Sequence, residues 1–332
     1  MTEVHPDLLW TQPAWLEQVH RWIESQLQAL GLEMTGPIEQ SHIRPWSTVL
    51  RFPTPARLLY FKATPAAFAQ EAALTAALAQ WCPEATVPVL AADTQKGWLL
   101  LQDGGIPLRQ ILQADRDIRH WQRVLPVYAQ MQKALAPRVA DLLALGVPDR
   151  RLTRLPFLYR RLLEDTDILG VGQADGLSAE EYRRLQALTP QVENMCGELA
   201  ACGVAETLQH DDLHDGNILV NQGRYLPFDW GDSCVSHPFF TLLVVRRSVE
   251  RTLALPEGDP ALMQLVDAYL GEWAEEFAPH DLRHACDLAQ RLGMLSRALT
   301  WYGLIVRLEG QLSEDHRWAV SGWLQEFLQQ SG

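Results

Sequence analysis

The spacing of apolar residues changes character along the chain. Between Thr11 and Leu32 the positions Trp15, Val19, Trp22, Ile23, Leu27 and Leu30 recur every three to four residues, which predicts an amphipathic helix with Pro13 in its first turn. That stripe reads as core or as a docking surface. From about Pro37 to Gln102 the pattern shortens to the extended runs STVLRF, RLLYFKA, VPVLAA and GWLLLQ, separated by Pro, Gly or polar turns. One helix, from about Ala66 to Gln80, interrupts them. After Gly105 nearly everything up to Val204 carries helical spacing, broken at LLALGVP and DILGVGQADGLS, and amphipathic helices return from Pro260 to Leu328. Residues 206–230 differ: TLQH, NILV and RYLPF are short extended runs with a turn at Asn221-Gln222-Gly223. No internal repeat or long polar linker divides the chain. The expectation is an α+β protein, with a small sheet-rich N-terminal lobe, residues 1–103, and a large helical C-terminal lobe, residues 104–332.

Composition narrows the class. With 332 residues, 47% of them apolar and 12 Trp, there is material for a sizeable core. A net charge of -13 argues against nucleic-acid binding, because an acidic surface repels a phosphate backbone. The Arg pairs at 150/151, 160/161 and 183/184 are interspersed with acids or apolar residues and read as solvated helix faces. No apolar run approaches the roughly 18 residues that span a bilayer, and MTEVHPDLLW lacks a basic segment followed by an apolar one. A cytoplasmic protein with no membrane partner is expected. The five cysteines are scattered, without a C-x-x-C pair, so neither a disulfide framework nor a structural zinc site is expected, and Cys234 reads as a buried thiol.

The chemistry concentrates in residues 207–233, TLQHDDLHDGNILVNQGRYLPFDWGDS. Phosphoryl transfer needs a divalent metal between phosphates, a cation on the α/β-phosphates and a carboxylate that orients the nucleophile. Asp212 and Asn217 lie five apart on a tight loop, and a hairpin through Gln222-Gly223 would bring Asp229 back beside Asn217. One carboxylate and one amide oxygen, completed by water and phosphates, suit Mg²⁺. The bland alternative is a turn rich in Asp and Asn that caps a helix.

These residues resemble the aminoglycoside phosphotransferase and choline/homoserine kinase group of small-molecule kinases, whose loop reads H-G-D-L-H-x-G-N-x-L followed by a D-W or D-F segment. His210-Asp211-Asp212-Leu213-His214-Asp215-Gly216-Asn217-Ile218-Leu219 and Phe228-Asp229-Trp230-Gly231 carry the match. The resemblance implies a two-lobe protein-kinase-like fold, ATP or GTP with Mg²⁺ as cofactors, Asp212 as catalytic base, Asn217 and Asp229 as metal ligands and His210 as a structural brace. It also implies Lys62 as the strand lysine on the α/β-phosphates with Glu71 as its partner. Residues Ser41 to Thr48, with Ser47 among them, take the place of a phosphate-covering loop, although no G-x-G-x-x-G is present. Gln102, Asp103 and Gly104 take the place of the hinge that binds adenine.

His214 in place of Lys, Trp230 in place of Phe and no A-P-E segment set the chain apart from protein kinases. Asp211 stands where the group usually has Gly, and Asp215 where Pro is frequent. Both acids are expected to face water, with attraction of a cationic substrate as the alternative. The implied acceptor is a small-molecule hydroxyl on an amino alcohol, aminoglycoside or sugar-like compound. Trp301, Tyr302, Arg307 and Glu309 fall in the region that lines the acceptor cleft in that group, although at helical spacing the aromatics read more simply as core, and Glu272-Trp273-Ala274-Glu275-Glu276 offers acids and a cation-π face for an ammonium. A nucleotide-binding module without turnover and a protein kinase are the competing readings.

Overall fold

A computed structural model describes residues 8–256, 258–308, 312 and 314–331. The chain forms two compact units, one of residues up to Gly105 together with Val220–Gly231, the other of Ile106–Leu219 and the remainder from Asp232.

The first unit is built on α1 (Pro13–Leu30), β1 (Glu39–Arg44), β2 (Ser47–Pro53), β3 (Leu58–Ala63), α2 (Gln70–Trp81), β4 (Val89–Asp93) and β5 (Trp98–Gln102). The strands make one antiparallel sheet in the order β1-β2-β3-β5-β4. The α1 stripe is core of this unit: Trp15, Val19, Ile23 and Leu27 are buried against Leu50, Phe52, Leu59, Phe61 and Leu100. Leu30, the last position of the expected stripe, is exposed. Trp15, Trp22, Phe61 and Trp98 interlock edge to face, with centroids 5.6 to 6.4 Å apart, and burying each such ring is worth about 2 kcal/mol or more. Because side chains alternate along a strand, Phe61 facing α1 sends Lys62 to the other face, where α2 lies.

The second unit opens with β6 (Ile106–Pro107), α3 (Leu108–Asp115), α4 (Arg119–Leu135), α5 (Val139–Ala144), α6 (Leu155–Glu164), α7 (Ala179–Ala187) and α8 (Thr189–Ala201). The expected break at LLALGVP begins inside the last turn of α5, which ends at Ala144, and the one at DILGVGQADGLS falls between α6 and α7. Then come the short strand β7 (Thr207–Gln209), the loop 210–217 and β8 (Ile218–Asn221), whose last two residues belong to the first unit. A turn at Gln222 and Gly223, both at positive φ, leads into β9 (Arg224–Pro227). From Asp232 the chain continues through β10 (Cys234–Ser236), antiparallel to β7, into α9 (Thr241–Leu253), α10 (Pro260–Leu270), α11 (Pro279–Arg307), α12 (Glu314–Arg317) and α13 (Ala319–Gln329). Cys234 is fully buried and burial pushes its thiol up to about 12, so it packs as a small apolar group. None of the helices among the described residues is long and apolar enough to cross a membrane.

Candidate active site

Within the first unit Lys62 is buried in mid-sheet, opposite Val49 of β2 and Leu99 of β5. Its Nζ donates to Glu71 Oε1 from α2 and to Asp229 Oδ1, each at 2.5 Å. Burial alone would lower the Lys62 pKa, but the Asp229 and Glu71 carboxylates more than offset this and hold it above its ordinary value. Burial pushes Glu71 up, against the pull of Lys62 and with Asp229 adding to the push. Asp229 sits at φ 67, a left-handed conformation Asp tolerates better than most residues, and its side chain is 46% exposed. The glycine two residues on sits close to this pair: a Cβ at Gly231 would stand 3.0 Å from Glu71 Oε2, so the Glu71 carboxylate would have to shift to admit one. Two carboxylates thus share one ammonium, leaving an excess of negative charge on the side of Asp229 that opens outward.

The second unit holds the loop 210–217. His210 is buried and its backbone N–H donates to the Tyr128 hydroxyl of α4 at 2.9 Å. Asn217 Nδ2 donates to the Asp212 carbonyl at 3.0 Å, tying the loop's two ends, and lies 3.5 Å from Asp212 Oδ2. The amide nitrogen is therefore turned toward Asp212, leaving the Asn217 amide oxygen to other partners. His214 Nδ1 accepts from the Gly216 N–H at 3.0 Å, so a neutral ring carries its proton on Nε2, which lies 3.6 Å from Asp212 Oδ2. A Cβ at Gly216 would meet His214 Cε1 at 2.8 Å and Arg109 at 3.0 Å, so any larger residue there would displace those two side chains.

Each loop acid is matched by arginine. Asp211 and Asp215 do not face water, contrary to the expectation from sequence; their side chains are 1% and 0% exposed. Asp211, at φ 63, takes Ser296 Oγ at 2.9 Å, Thr300 Oγ1 and Arg150 Nη1 at 3.3 Å, while its carbonyl takes Arg297 Nη1 at 2.8 Å. The positive φ accounts for glycine as the common residue there, and aspartate is among the few others that adopt it readily. Asp215 Oδ1 takes Arg109 Nε at 2.8 Å and Asp215 Oδ2 takes Thr252 Oγ1 at 2.5 Å. Arg297, from α11, also reaches Asp212 Oδ1 at 3.2 Å and Asp232 Oδ2 at 3.2 Å. Burial would lower the Arg297 pKa, but Asp212, Asp211 and Asp232 raise it overall.

Arg150 corrects a second expectation: it is buried against Asp211 and α11 instead of lying on a solvated helix face. None of Arg109, Arg150 and Arg297 stood out as a site residue from sequence. For Arg297 there was one signal, a Ser-Arg pair inside the otherwise apolar run GMLSRAL of α11.

The remaining expected positions are scattered by comparison. Ser47 is the first residue of β2, buried and opposite Arg44, so Ser41 to Thr48 form a hairpin around Pro45-Trp46. At the end of β5 the Gln102 N–H donates to Pro88 O at 3.0 Å, Asp103 Oδ1 accepts the Gly105 N–H at 2.9 Å and Gly104 is buried. Trp301 stacks on His316 at 5.4 Å, and Tyr302 Oη donates to Asp165 Oδ2 at 3.3 Å. Trp273 does not offer an open face to an ammonium: it is buried against Phe239 and Tyr269, with Lys133 Nζ 6.0 Å over its ring and paired with Glu276. Glu309 lies outside the described residues.

The oxygen donors present fit a hard divalent cation. In the first unit Asp229 is half open, and in the second the Asn217 amide oxygen is turned away from its own loop's carboxylate; each is a hard oxygen donor of the kind Mg²⁺ takes. No group of three or more His, Cys, Asp or Glu among the described residues is arranged to hold a metal by itself.

The family model described as the phosphotransferase enzyme family matches residues 38–283. An ethanolamine kinase from Plasmodium vivax aligns with a TM-score of 0.64 at 12% identity, over 96% of this chain and 89% of its own. A macrolide 2'-phosphotransferase type I aligns at 0.57 with 13% identity, over 97% and 99%. A choline/ethanolamine kinase family protein from Mesorhizobium loti aligns at 0.56 with 15% identity, over 93% of each chain. At such identities the likeness shows a common, kinase-like α+β fold. No curated protein matches the chain in sequence.

Proposed function

Because the chain belongs to the phosphotransferase enzyme family, we propose that it transfers the γ-phosphoryl group of ATP, or of GTP, to a hydroxyl of a small molecule, with Asp212 as the base. The observation that carries this reading is the Asp212 carboxylate: 28% exposed, tied through its backbone to Asn217 and through Oδ1 to Arg297. A carboxylate fixed in this way can accept a hydroxyl proton as the oxygen attacks phosphorus. Lys62, kept charged and immobile by Glu71 and Asp229, would neutralise the α/β-phosphates. Asn217 and Asp229 would hold Mg²⁺, which when bound offsets charge on the phosphate oxygens. The hairpin at Ser47 would lie along the phosphates, and the strand end Gln102, Asp103, Gly104 along the adenine. His210 would brace the loop.

The acceptor class is open to a direct screen. ATP consumption in the presence of Mg²⁺ is followed with aminoglycosides, macrolides, choline, ethanolamine, homoserine and sugars. The expected result is a rise above the acceptor-free rate with one of these classes. Thermal stabilisation by Mg-ATP with no consumption toward any acceptor or toward water would instead indicate a nucleotide-binding module.

A further inference from the structure

The sheet of the first unit has two unlike faces. Toward α1 it is closed: Leu50, Phe52, Leu59 and Phe61 are no more than 1% exposed, and Ile43 of β1 packs against that cluster. Alternation along the strand sends His42 and Arg44 to the opposite face, in register with Val49 and Ser47 of β2 and so on the side of Lys62. That face is only half covered, with His42, Arg44, Val49 and Tyr60 partly exposed. The ladder also orders it lengthwise. Gln102 stands opposite Leu59, Leu99 stands in line with Lys62, Val49 and His42, and Ser47 and Arg44 lie two residues further in the same direction. From the level of Gln102 to that of Arg44 the strands run about 17 Å, room for a base, a sugar and a phosphate chain end to end.

The cations on this face are not equally committed. Lys62 is held by Glu71 and Asp229, and Arg51 by Glu39. The Arg44 guanidinium donates from Nη1 to its neighbour's carbonyl, Ile43 O, at 2.9 Å, and pairs with no carboxylate among the described residues. It nevertheless belongs to the same electrostatic neighbourhood as Lys62 and Asp229. Burial lowers the His42 pKa, Arg44 adds to that, Asp229 opposes it and Lys62 lowers it further, so all three charges act on one imidazole. The hairpin that carries Arg44 is pinned, since Thr48 Oγ1 donates to His42 O at 2.8 Å and accepts from Gln40 Nε2 at 2.9 Å. A half-buried guanidinium on a fixed strand, without a counter-ion of its own, suits a phosphate, which it can hold through two parallel N–H bonds.

We infer that Arg44 binds the outermost phosphate of the nucleotide, supplying from a side chain on β1 the contacts that a glycine-rich loop would supply from its backbone. The inference rests on the proposed phosphotransferase reading, in which Gln102 to Gly104 mark the adenine end and Lys62 the α/β-phosphates. Arg44 is next in line beyond Lys62. A preference for three phosphates over two follows. Transfer of the γ-phosphoryl group removes the anionic partner of Arg44, so the spent diphosphate is held less tightly than the triphosphate.

Calorimetric titration of the full-length protein, with no acceptor present, tests this. Mg-ATP and Mg-GTP are titrated first, and whichever the wild type binds is compared with its diphosphate. Arg44→Gln is expected to weaken the triphosphate about 10- to 100-fold, while the diphosphate stays within about twofold of wild type. Arg44→Lys, which keeps the charge but not the planar fork, should fall between. A triphosphate affinity in Arg44→Gln within about twofold of wild type overturns the inference. So does an equal loss for the diphosphate, the mark of a displaced hairpin. Should Arg44→Gln not fold, Arg44→Lys carries the test: a loss confined to the triphosphate supports the inference, and no loss, or the same loss for both, overturns it. A wild-type protein that binds neither triphosphate overturns the phosphotransferase reading itself, and the inference with it.

Discussion

Asp212→Asn binds Mg-ATP as the wild type does and loses phosphoryl transfer, with kcat down about 10²- to 10⁴-fold, or roughly 3 to 5 kcal/mol of transition-state stabilisation. The substitution is nearly isosteric, so the loop keeps its shape. The backbone carbonyl of residue 212 still accepts from Asn217, and the side-chain oxygen can still face Arg297, which keeps Asp211 and Asp232 as partners. What disappears is an oxygen able to take a proton. Steady-state kinetics with the acceptor that responds in the screen, and calorimetry of Mg-ATP on the same samples, check the two halves. A kcat within a few fold of wild type would mean that the proton leaves by another route.

Asp211→Ala destabilises the fold by about 3–5 kcal/mol, because removing one member of a buried ion pair leaves uncompensated charge. Arg150 and Arg297 have side chains 8% and 7% exposed, and neither can turn to water without disturbing α11. Ser296 and Thr300 lose the Asp211 carboxylate as an acceptor as well, Thr300 keeping only the Ser296 carbonyl. Alanine also meets a backbone at φ 63, which it adopts less readily than aspartate. Asp211→Gly, which restores the residue usual in related loops, should therefore be less destabilising than alanine by about 1 kcal/mol and still well below wild type. Urea unfolding of the three proteins gives the order directly. Equal stabilities would show that the buried network around Asp211 contributes nothing net.

These two neighbouring residues show where the sequence was legible. Asp212, Asn217 and Asp229 could be singled out because their spacing along a short loop and the following hairpin is a local property. The α1 stripe and the runs that became β2, β3, β4 and β5 were legible for the same reason, since each presents apolar residues at the period of its element. Strand β1 was not read as a strand. It is an edge strand, and Glu39, Gln40, Ser41, His42 and Arg44 give it no apolar alternation.

The burial of Asp211 and Asp215 was illegible for a different reason. An acid in a polar loop normally meets water, and what reverses that here comes from afar: Arg150 is 61 residues and Arg297 86 residues distant from Asp211, and Arg109 106 from Asp215. Ion pairs of such separation leave no periodic trace. Trp273 was misjudged in the same way, as Lys133, which covers its ring, comes from α4.

The most direct test of Asp212 as a base in a single direct transfer is the stereochemical course at phosphorus. ATP made chiral at the γ-phosphorus with oxygen isotopes is turned over with the acceptor found in the screen, and the configuration of the product ester is determined. In-line attack by a hydroxyl that Asp212 deprotonates predicts inversion. Retention, the mark of a phosphorylated enzyme intermediate, or label that never leaves ATP while the nucleotide binds, would contradict the account.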